Sequence, residues 1–570
     1  VIASRAGLLS NPACPDPAMI APPPRPWIAA SLLCLAALLL ASCASSVRAP
    51  ARSAAAARPD PSDALFVSGV IPHIRIEITE SNLARLRRED RRYVPCTIRE
   101  GTNVWEDVGV HRKGAAGSTR DLNDQPALSV NFDKFVHDQK FFGLDKFHLN
   151  NSVQDASRLC EILCARLFAE AGVPAARVGH ARVSLNGRDL GLYVLKEGFD
   201  KSFLRRHFPN PNGNLYDGGF LADIDGNPQR TSGSGDVANR ADLKALVAAA
   251  QDKDPTNRFA RLERLLDLDR FLSFVALEVI TWHWDGYVMN RNNYRVYHDP
   301  DRDKLLFFPH GMDQMFWDPN GPLIPGNLQG LVSRALLQTP EGRRRYRARL
   351  AEITTNYFTA ERMTNYIQVL QDRLQSSLQA WNPGEAKRQA GDANRIRNLV
   401  LERIKVLERR LAEPEPKPLP FDAQGVAPLV NWEPPKSDAL PPAKLEVVTL
   451  DGLKALRIAA LPKTNCIGSF RTRVLLDAGT YILEGRVRTA GVEPIAKEKD
   501  TPNKGAGAGL RISQPAAARP NQLLGDQPWQ KLEYEFTVPA GPDEVVLICE
   551  LRASAGEAWF DLGSLRLRRK

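Results

Sequence analysis

The sequence predicts an α+β domain followed by an all-β sandwich, and three observations predict it. From residue 64 to 413, short alternating strands are interleaved with helices whose apolar residues recur at helical spacing. Residues 414–420, inside Glu413-Pro414-Glu415-Pro416-Lys417-Pro418-Leu419-Pro420, form a stiff Pro-rich linker. Beyond it, 421–570 change texture to short strands separated by turns, the pattern of a jelly-roll-like sandwich.

Taken in order, the chain opens on an address. From Met19, the basic Arg25 precedes an apolar run over 27–41, shorter than the ~20 residues a membrane-spanning helix needs. It ends in Leu40-Ala41-Ser42-Cys43, which resembles the lipobox of bacterial lipoproteins. That likeness implies cleavage before Cys43 and lipidation of its thiol. Residues 1–43 are read as leader and signal peptide, and 44–63, rich in Ala, Ser, Pro and Arg, as a disordered tether. Strands are expected at 73–78, 95–99 and 104–112, with a short helix at 80–90 between the first two. The small residues of Lys113-Gly114-Ala115-Ala116-Gly117-Ser118-Thr119 then allow a tight turn whose backbone can approach phosphate oxygens. A strand at 127–132 follows. Ser152-Val153-Gln154-Asp155 is a capping-box-like start for a helix carrying Leu159, Ile162, Leu163 and Leu167 on one face. Asn186-Gly187 joins two further strands into a hairpin that closes on Lys196-Glu197. After a short helix at 200–208 comes a Gly/Asp-rich loop over 217–236. Asp223-Ile224-Asp225-Gly226-Asn227 resembles the opening of a calcium loop, but the closing Glu is absent, so a solvent loop is expected. An apolar helix over 268–282 delivers the chain to His283. A hairpin around Asp299-Pro300-Asp301 leads on to Asp313, and 340–412 are helical.

Composition narrows the function classes. Of 570 residues, 43% are hydrophobic and 25% charged, an ordinary globular balance. The net charge of +10 comes from Arg dispersed among many acids, and no nucleic-acid-binding motif accompanies it, so no nucleic-acid partner is expected. Cys14 and Cys34 leave with the leader and Cys43 carries lipid. Cys96, Cys160, Cys164, Cys466 and Cys549 remain, without any C-x-x-C, so neither a zinc ribbon nor a disulfide framework is indicated. Cys466 and Cys549 can pair only if their strands face one another.

The chemistry concentrates in His283-Trp284-Asp285-Gly286-Tyr287-Val288-Met289-Asn290. His-x-Asp followed by Asn five residues after the Asp is the spacing of a protein-kinase catalytic loop, and Asp313 lies where a metal-holding Asp would follow. No Walker A sequence, dinucleotide fingerprint or nucleophile elbow competes with it. The chain resembles the spore-coat protein H (CotH) kinase family, an atypical branch of the protein-kinase-like fold. The likeness rests on Arg112-Lys113-Gly114 with Gly117-Ser118, Leu149-Asn150-Asn151 with Asp155 and Leu159, and Asn186-Gly187 with Gly191-Leu192-Tyr193 and Glu197. It continues through Asp285 with Asn290, Asn292, Asn293 and Tyr294, and ends at Asp313.

The resemblance implies a bilobal kinase-like domain over 64–413 that transfers phosphate from ATP to protein Ser or Thr with Mg or Mn. Asp285 would orient the attacking hydroxyl, and Asn290 and Asp313 would hold the metal. Lys113, Gly114, Gly117 and Ser118 would approach the phosphates, and Glu197 would end the strand that contacts adenine through backbone. Relatives commonly carry a Lys at the strand after the small-residue turn. Here Asp124, Gln125 and Pro126 stand there, leaving Lys113 or Lys134 to supply the charge. A lipid-anchored envelope protein meets little ATP, so the alternative is a catalytically silent surface scaffold. Its sandwich would bind polysaccharide, with Trp529, beside Asp526 and Gln527 in an expected turn, as the contact rather than Trp432 or Trp559. The protein substrate is not legible.

Overall fold

The computed structural model describes residues 60–570, apart from 116, 234, 235, 237, 327, 415–416, 436–442, 462–464, 496–505, 514–520 and 539–542. The leader, Cys43 and residues 44–59 of the expected tether lie outside the described residues. Residues 60–63, also read as tether, are docked: Asp60 and Asp63 pair with Arg177 at 3.2 and 3.1 Å. Among the described residues no helix is long and apolar enough to cross a membrane.

The first strands close into a barrel. After a short helix α1 (Asp63–Phe66) come β1 (His73–Glu77), α2 (Glu80–Arg88), β2 (Val94–Glu100), β3 (Asn103–Lys113), β4 (Ala127–Asn131) and β5 (Lys146–Asn150). Helix α3 (Cys160–Glu170) precedes β6 (Val178–Leu185) and β7 (Arg188–Glu197). The strand order is β1-β2-β3-β4-β5-β7-β6, and β6 returns parallel to β1 with Ile74 opposite Val183. Alternation fills the interior with Ile74, Ile76, Val108, Val110, Leu128 and Tyr193, all buried. The β6–β7 hairpin turns at Asn186 and Gly187, both at positive φ as a two-residue turn of the primed type requires. Strand β5 was not expected. Helix α3 starts later than its capping pattern suggested, at Cys160, where the Asp155 carboxylate accepts from the Cys160 N–H at 2.9 Å.

The chain then forms α4 (Lys201–His207), β8 (Asn214–Asp217) and β9 (Gln229–Ser232), followed by α5 (Ala241–Ala250), α6 (Pro255–Leu265) and α7 (Leu268–Ile280). A single turn α8 (Tyr287–Asn290) leads to β10 (Tyr294–Asp299) and β11 (Lys304–Pro309). Strands β11-β10-β8-β9 make a small antiparallel sheet, so the loop over 217–236 contains a strand where only solvent loop was expected. Its Asp223 is buried and accepts from the Tyr287 hydroxyl at 3.0 Å and the Leu331 N–H at 2.7 Å, a structural rather than a calcium-binding role. Helix α7, capped by Asp267, is buried all round from Phe271 to Ile280 and packs in the largest apolar core with α9 (Leu331–Leu337), α10 (Pro340–Asn356), α11 (Ala360–Trp381) and α12 (Pro383–Ala412). Pro383, at the first position of α12, separates it from α11.

Beyond the linker lie two sheets. One runs β12 (Val426–Pro428), β21 (Arg566–Arg569), β16 (Gly479–Glu493), β20 (Ala555–Asp561), β14 (Leu453–Ala460), β13 (Ala443–Leu450), with β18 (Gly525–Val538) on β16. The other is β15 (Cys466–Leu476), β19 (Asp543–Ala553), β17 (Gly507–Ile512). Leu456, Ile458, Phe470, Leu510, Leu547 and Leu551 from both sheets share one core, so this part is a sandwich. The register places Cys466 opposite Ala553 and Cys549 opposite Phe470, and both thiols are free, which corrects the idea that they pair.

Candidate functional site

The helix α7 ends at Thr281 and releases the chain into a loop whose backbone is held from below. Glu278, fully buried in α7, accepts from the N–H groups of Tyr287 at 3.1 Å and Val288 at 2.7 Å. These are orphan donors at the start of α8, so the carboxylate caps the turn that carries Asp285 and Asn290. His283 lies 3.6 Å from Glu278 and its Nε2 contacts the Gly311 carbonyl at 3.1 Å. Burial opposes charge on this imidazole, but Glu278 outweighs it and the His283 pKa is raised. His283 therefore ties the loop to the segment bearing Asp313.

Asp285 is half-buried inside a cage of amides. Its Oδ1 accepts from Asn290 at 2.7 Å and Asn292 at 3.1 Å. Its Oδ2 accepts from Asn293 at 2.8 Å, and the same Asn293 amide reaches the Asp285 carbonyl at 2.9 Å. Arg291 and Asn293 both adopt left-handed backbone, as does Trp282 just ahead of the loop. Such conformations persist where surrounding contacts over-determine them and concentrate at functional loops. Gly311 is at φ +56, and a Cβ there would stand 2.3 Å from the Asn293 side-chain oxygen. Only glycine lets the Asp313 segment approach the cage this closely.

Asp313 is half-buried, and among the described residues its carboxylate has no ion pair and no side-chain hydrogen bond. Burial, reinforced by the neighbouring Glu161, pushes its pKa up to about 6, against the pull of Lys113. An acid with no cation beside it among the described residues, met by its own backbone N–H, suits a divalent cation, a hard ion that oxygen donors satisfy. Asn290 gives its amide nitrogen to Asp285, which leaves its carbonyl oxygen as a second donor. The residues present thus fit magnesium or manganese.

The positive side of the site is assembled from distant chain. The Lys113 ammonium donates to Asn150 Oδ1 at 2.6 Å. Burial, partly offset by Glu161, holds its pKa down at about 8. Lys134, the other lysine expected from sequence, stands above the Tyr93 ring at 5.4 Å. Lys196 is fully buried and pairs with Glu161 of α3 at 2.5 Å. It also approaches His310 Nδ1 at 3.2 Å. Asn150 completes the link by donating to Glu161 at 2.6 Å. Burial next to these cations drives His148 and His310 well below their usual pKa, so both are neutral. Lys196, Glu161 and the neutral pair were not singled out from sequence.

The small-residue turn closes on itself: the Ser118 hydroxyl accepts from the Ala115 N–H at 3.0 Å, and Asn151 donates to the Ser118 carbonyl at 3.1 Å. Gly114 and Gly117 are both at positive φ, while Ala116 lies outside the described residues. Glu197 ends β7. Its side chain faces away, bonded to Arg206 and 3.2 Å from Arg177, and its N–H is spent on the Arg177 carbonyl at 3.0 Å. It cannot offer that donor to a nucleotide. Trp529 is in β18 rather than a turn; the ring is half-buried and its N–H donates to Asp451 at 2.9 Å. Trp432 and Trp559 are buried.

An acid held by three amides, a second unpartnered acid on the following segment and a buried Lys–Glu pair define a kinase-like protein. Residues 110–407 match the family described as CotH kinase protein, and the chain belongs to that family. Invasin CotH2 of Rhizopus delemar is 26% identical over 264 residues, 41% of this chain and 44% of that protein. The chain spans about half the length of the curated relatives it matches. The Helicobacter pylori proinflammatory kinase CtkA aligns with 53% of this chain and 97% of its own at 8% identity and a TM-score of 0.24. A CBM4 domain aligns with 27% of this chain and 95% of its own at 16% identity and a TM-score of 0.18.

Proposed function

We propose that residues 64–413 form a bilobal kinase-like domain that transfers a phosphoryl group from ATP to a Ser or Thr hydroxyl of a protein. The single observation that carries this reading is the amide cage on Asp285 set beside the unpartnered Asp313. ATP would supply the phosphoryl group and leave as ADP, and magnesium or manganese would neutralise the charge on its phosphates. Asp285, fixed by Asn292 and Asn293, accepts the proton of the incoming hydroxyl. Asp313 and the Asn290 oxygen would hold the metal, and Lys113 would supply positive charge toward the phosphates, with Lys196 behind it. The Lys196–Glu161 pair keeps that charge in place inside the fold. Calorimetry with ATP and either metal tests the reading. Binding is expected to require metal and to vanish in Asp313→Ala; metal-independent binding, or binding unchanged in that variant, refutes the metal assignment.

Two further parts complete the proposal. Cys43 is taken as the lipidated residue anchoring the protein to the bacterial envelope, and Cys43→Ser should then leave the detergent phase in a partition assay. The sandwich over 421–570 is taken as a polysaccharide-binding module. This role also serves the second reading, a silent scaffold, which is favoured by the engagement of the Ser118 hydroxyl with Ala115 of its own turn.

A further inference from the structure

We infer that a cavity at the junction of the helical part and the sandwich binds an amphipathic carboxylate, a medium-chain fatty acid in size and chemistry. Asp60–Lys570 packs as one unit, and the cavity, about 220 Å³, lies within it. This is far more than the ~30 Å³ share of one water molecule. Its wall is apolar: Leu323, Ile324, Leu328, Leu337, Tyr346 and Leu350 line it, contributed by the segment before α9, by α9 and by α10. Leu337, Tyr346 and Leu350 are almost fully buried, and the Tyr346 hydroxyl is spent on the Leu323 carbonyl at 2.5 Å. The inner surface therefore offers an alkyl chain apolar contact and little competition from polar groups.

The mouth has the opposite character. Arg334, Arg343, Arg347 and Arg410 stand around it, together with Glu413 and Glu544. Glu544 is committed to Arg473 at 2.8 Å. Among the described residues Arg334, Arg347 and Arg410 form no ion pair and are held only by backbone carbonyls. Arg347 donates to the Leu411 and Glu413 carbonyls at 3.1 and 2.7 Å, Arg334 to those of Leu328 and Gln329 at 3.4 and 3.2 Å, and Arg410 to Asn320 at 3.1 Å. Carbonyls orient these guanidinium groups without neutralising them, so the rim carries excess positive charge. An apolar pocket with a few convergent charged groups is a ligand site in form, and planar guanidinium matches carboxylate in geometry. The carboxylate would sit at the rim and its chain in the cavity. The site is separate from the kinase-like centre and does not rest on its activity.

Calorimetry and thermal melting of the full chain with dodecanoate, below its micelle concentration, test this directly, with dodecanol as the uncharged control. Dodecanoate should bind saturably with one site and raise the melting temperature. It should bind about tenfold or more weakly to Arg334→Gln/Arg347→Gln, given the strength of hydrogen bonds to charged groups. Leu328→Trp, which fills the cavity from its loop wall, should abolish binding while leaving the two-state melt intact. The inference is overturned by non-saturable uptake, by equal affinity for dodecanoate and dodecanol, or by unchanged dodecanoate affinity in both variants.

Discussion

Replacing Asp313 by Asn removes an ionisable group that the fold holds at a cost. The carboxyl has an ordinary value of 3.8 and sits at about 6 in the folded chain. A folded pKa above the unfolded one means the native state binds the proton more tightly between those values. Stability is therefore lost as pH rises from about 4 through about 6. Each pH unit between the two values is worth ~1.4 kcal/mol, giving a ceiling of ~3 kcal/mol, which partial exposure trims to ~1–2 kcal/mol. In metal-free buffer at pH 7.5, Asp313→Asn should be more stable than the native chain by that amount, and the gain should disappear at pH 4. Metal reverses the ranking, because it stabilises only the chain able to bind it. Competition with the proton also makes apparent metal affinity fall about tenfold between pH 7 and pH 5. Urea unfolding at both pH values, with chelator and with manganese, reads all of this. If Asp313→Asn is destabilised in chelator at pH 7.5, the carboxylate is a structural partner and the metal assignment fails.

Other expectations follow from the same geometry. Asn293→Ala removes two hydrogen bonds to Asp285 and should lower turnover by ~10–100-fold while leaving nucleotide affinity nearly unchanged, since reacting groups tolerate little misplacement; parallel loss of nucleotide binding in calorimetry would show a collapsed loop instead. Lys196→Met leaves Glu161 buried without its cation and should cost ~3–5 kcal/mol in urea unfolding, a large part of a typical domain's stability. A change below ~1 kcal/mol would mean solvent reaches the pair. Trp529→Ala should weaken any polysaccharide bound by the full chain by ~1–3 kcal/mol in a glycan panel, and an untouched affinity would move the glycan contact elsewhere.

The readable part of the site was the part that is local in sequence. Asp285, Asn290 and Asp313 are spaced along one short stretch, and the loop geometry that brings them together is fixed by neighbours such as Asn292 and Asn293. The cationic half was not legible because Lys113, Asn150, Glu161 and Lys196 come from β3, β5, α3 and β7, and only barrel closure makes them adjacent. The end of β7 shows why Lys196 was overlooked. Successive strand side chains face opposite ways. Leu192 and Val194 pack toward the helical core, and Lys196 shares their parity; Tyr193 and Leu195 pack inside the barrel, and Glu197 shares theirs. Reading that alternation two residues further would have selected the lysine. The turn Asn186-Gly187 was legible from backbone preference alone, whereas the four-residue β9 is too short to announce itself, and β5, as long as β1 and β4, was overlooked despite its alternation. Trp529 was placed in a turn from its polar neighbours, but β18 continues through them by pairing with β16, a long-range contact that local propensity does not encode.

The most direct test of the central claim is label transfer from ATP by the native chain and by Asp285→Asn, with manganese or magnesium present. Incorporation into the protein itself or into a Ser/Thr-rich substrate should come from the γ-phosphate, require metal, and fall by ~100-fold or more in the variant, the usual worth of a positioned general base. Label entering from the α-phosphate, or incorporation undiminished in a folded Asp285→Asn chain, would contradict phosphoryl transfer through the caged carboxylate.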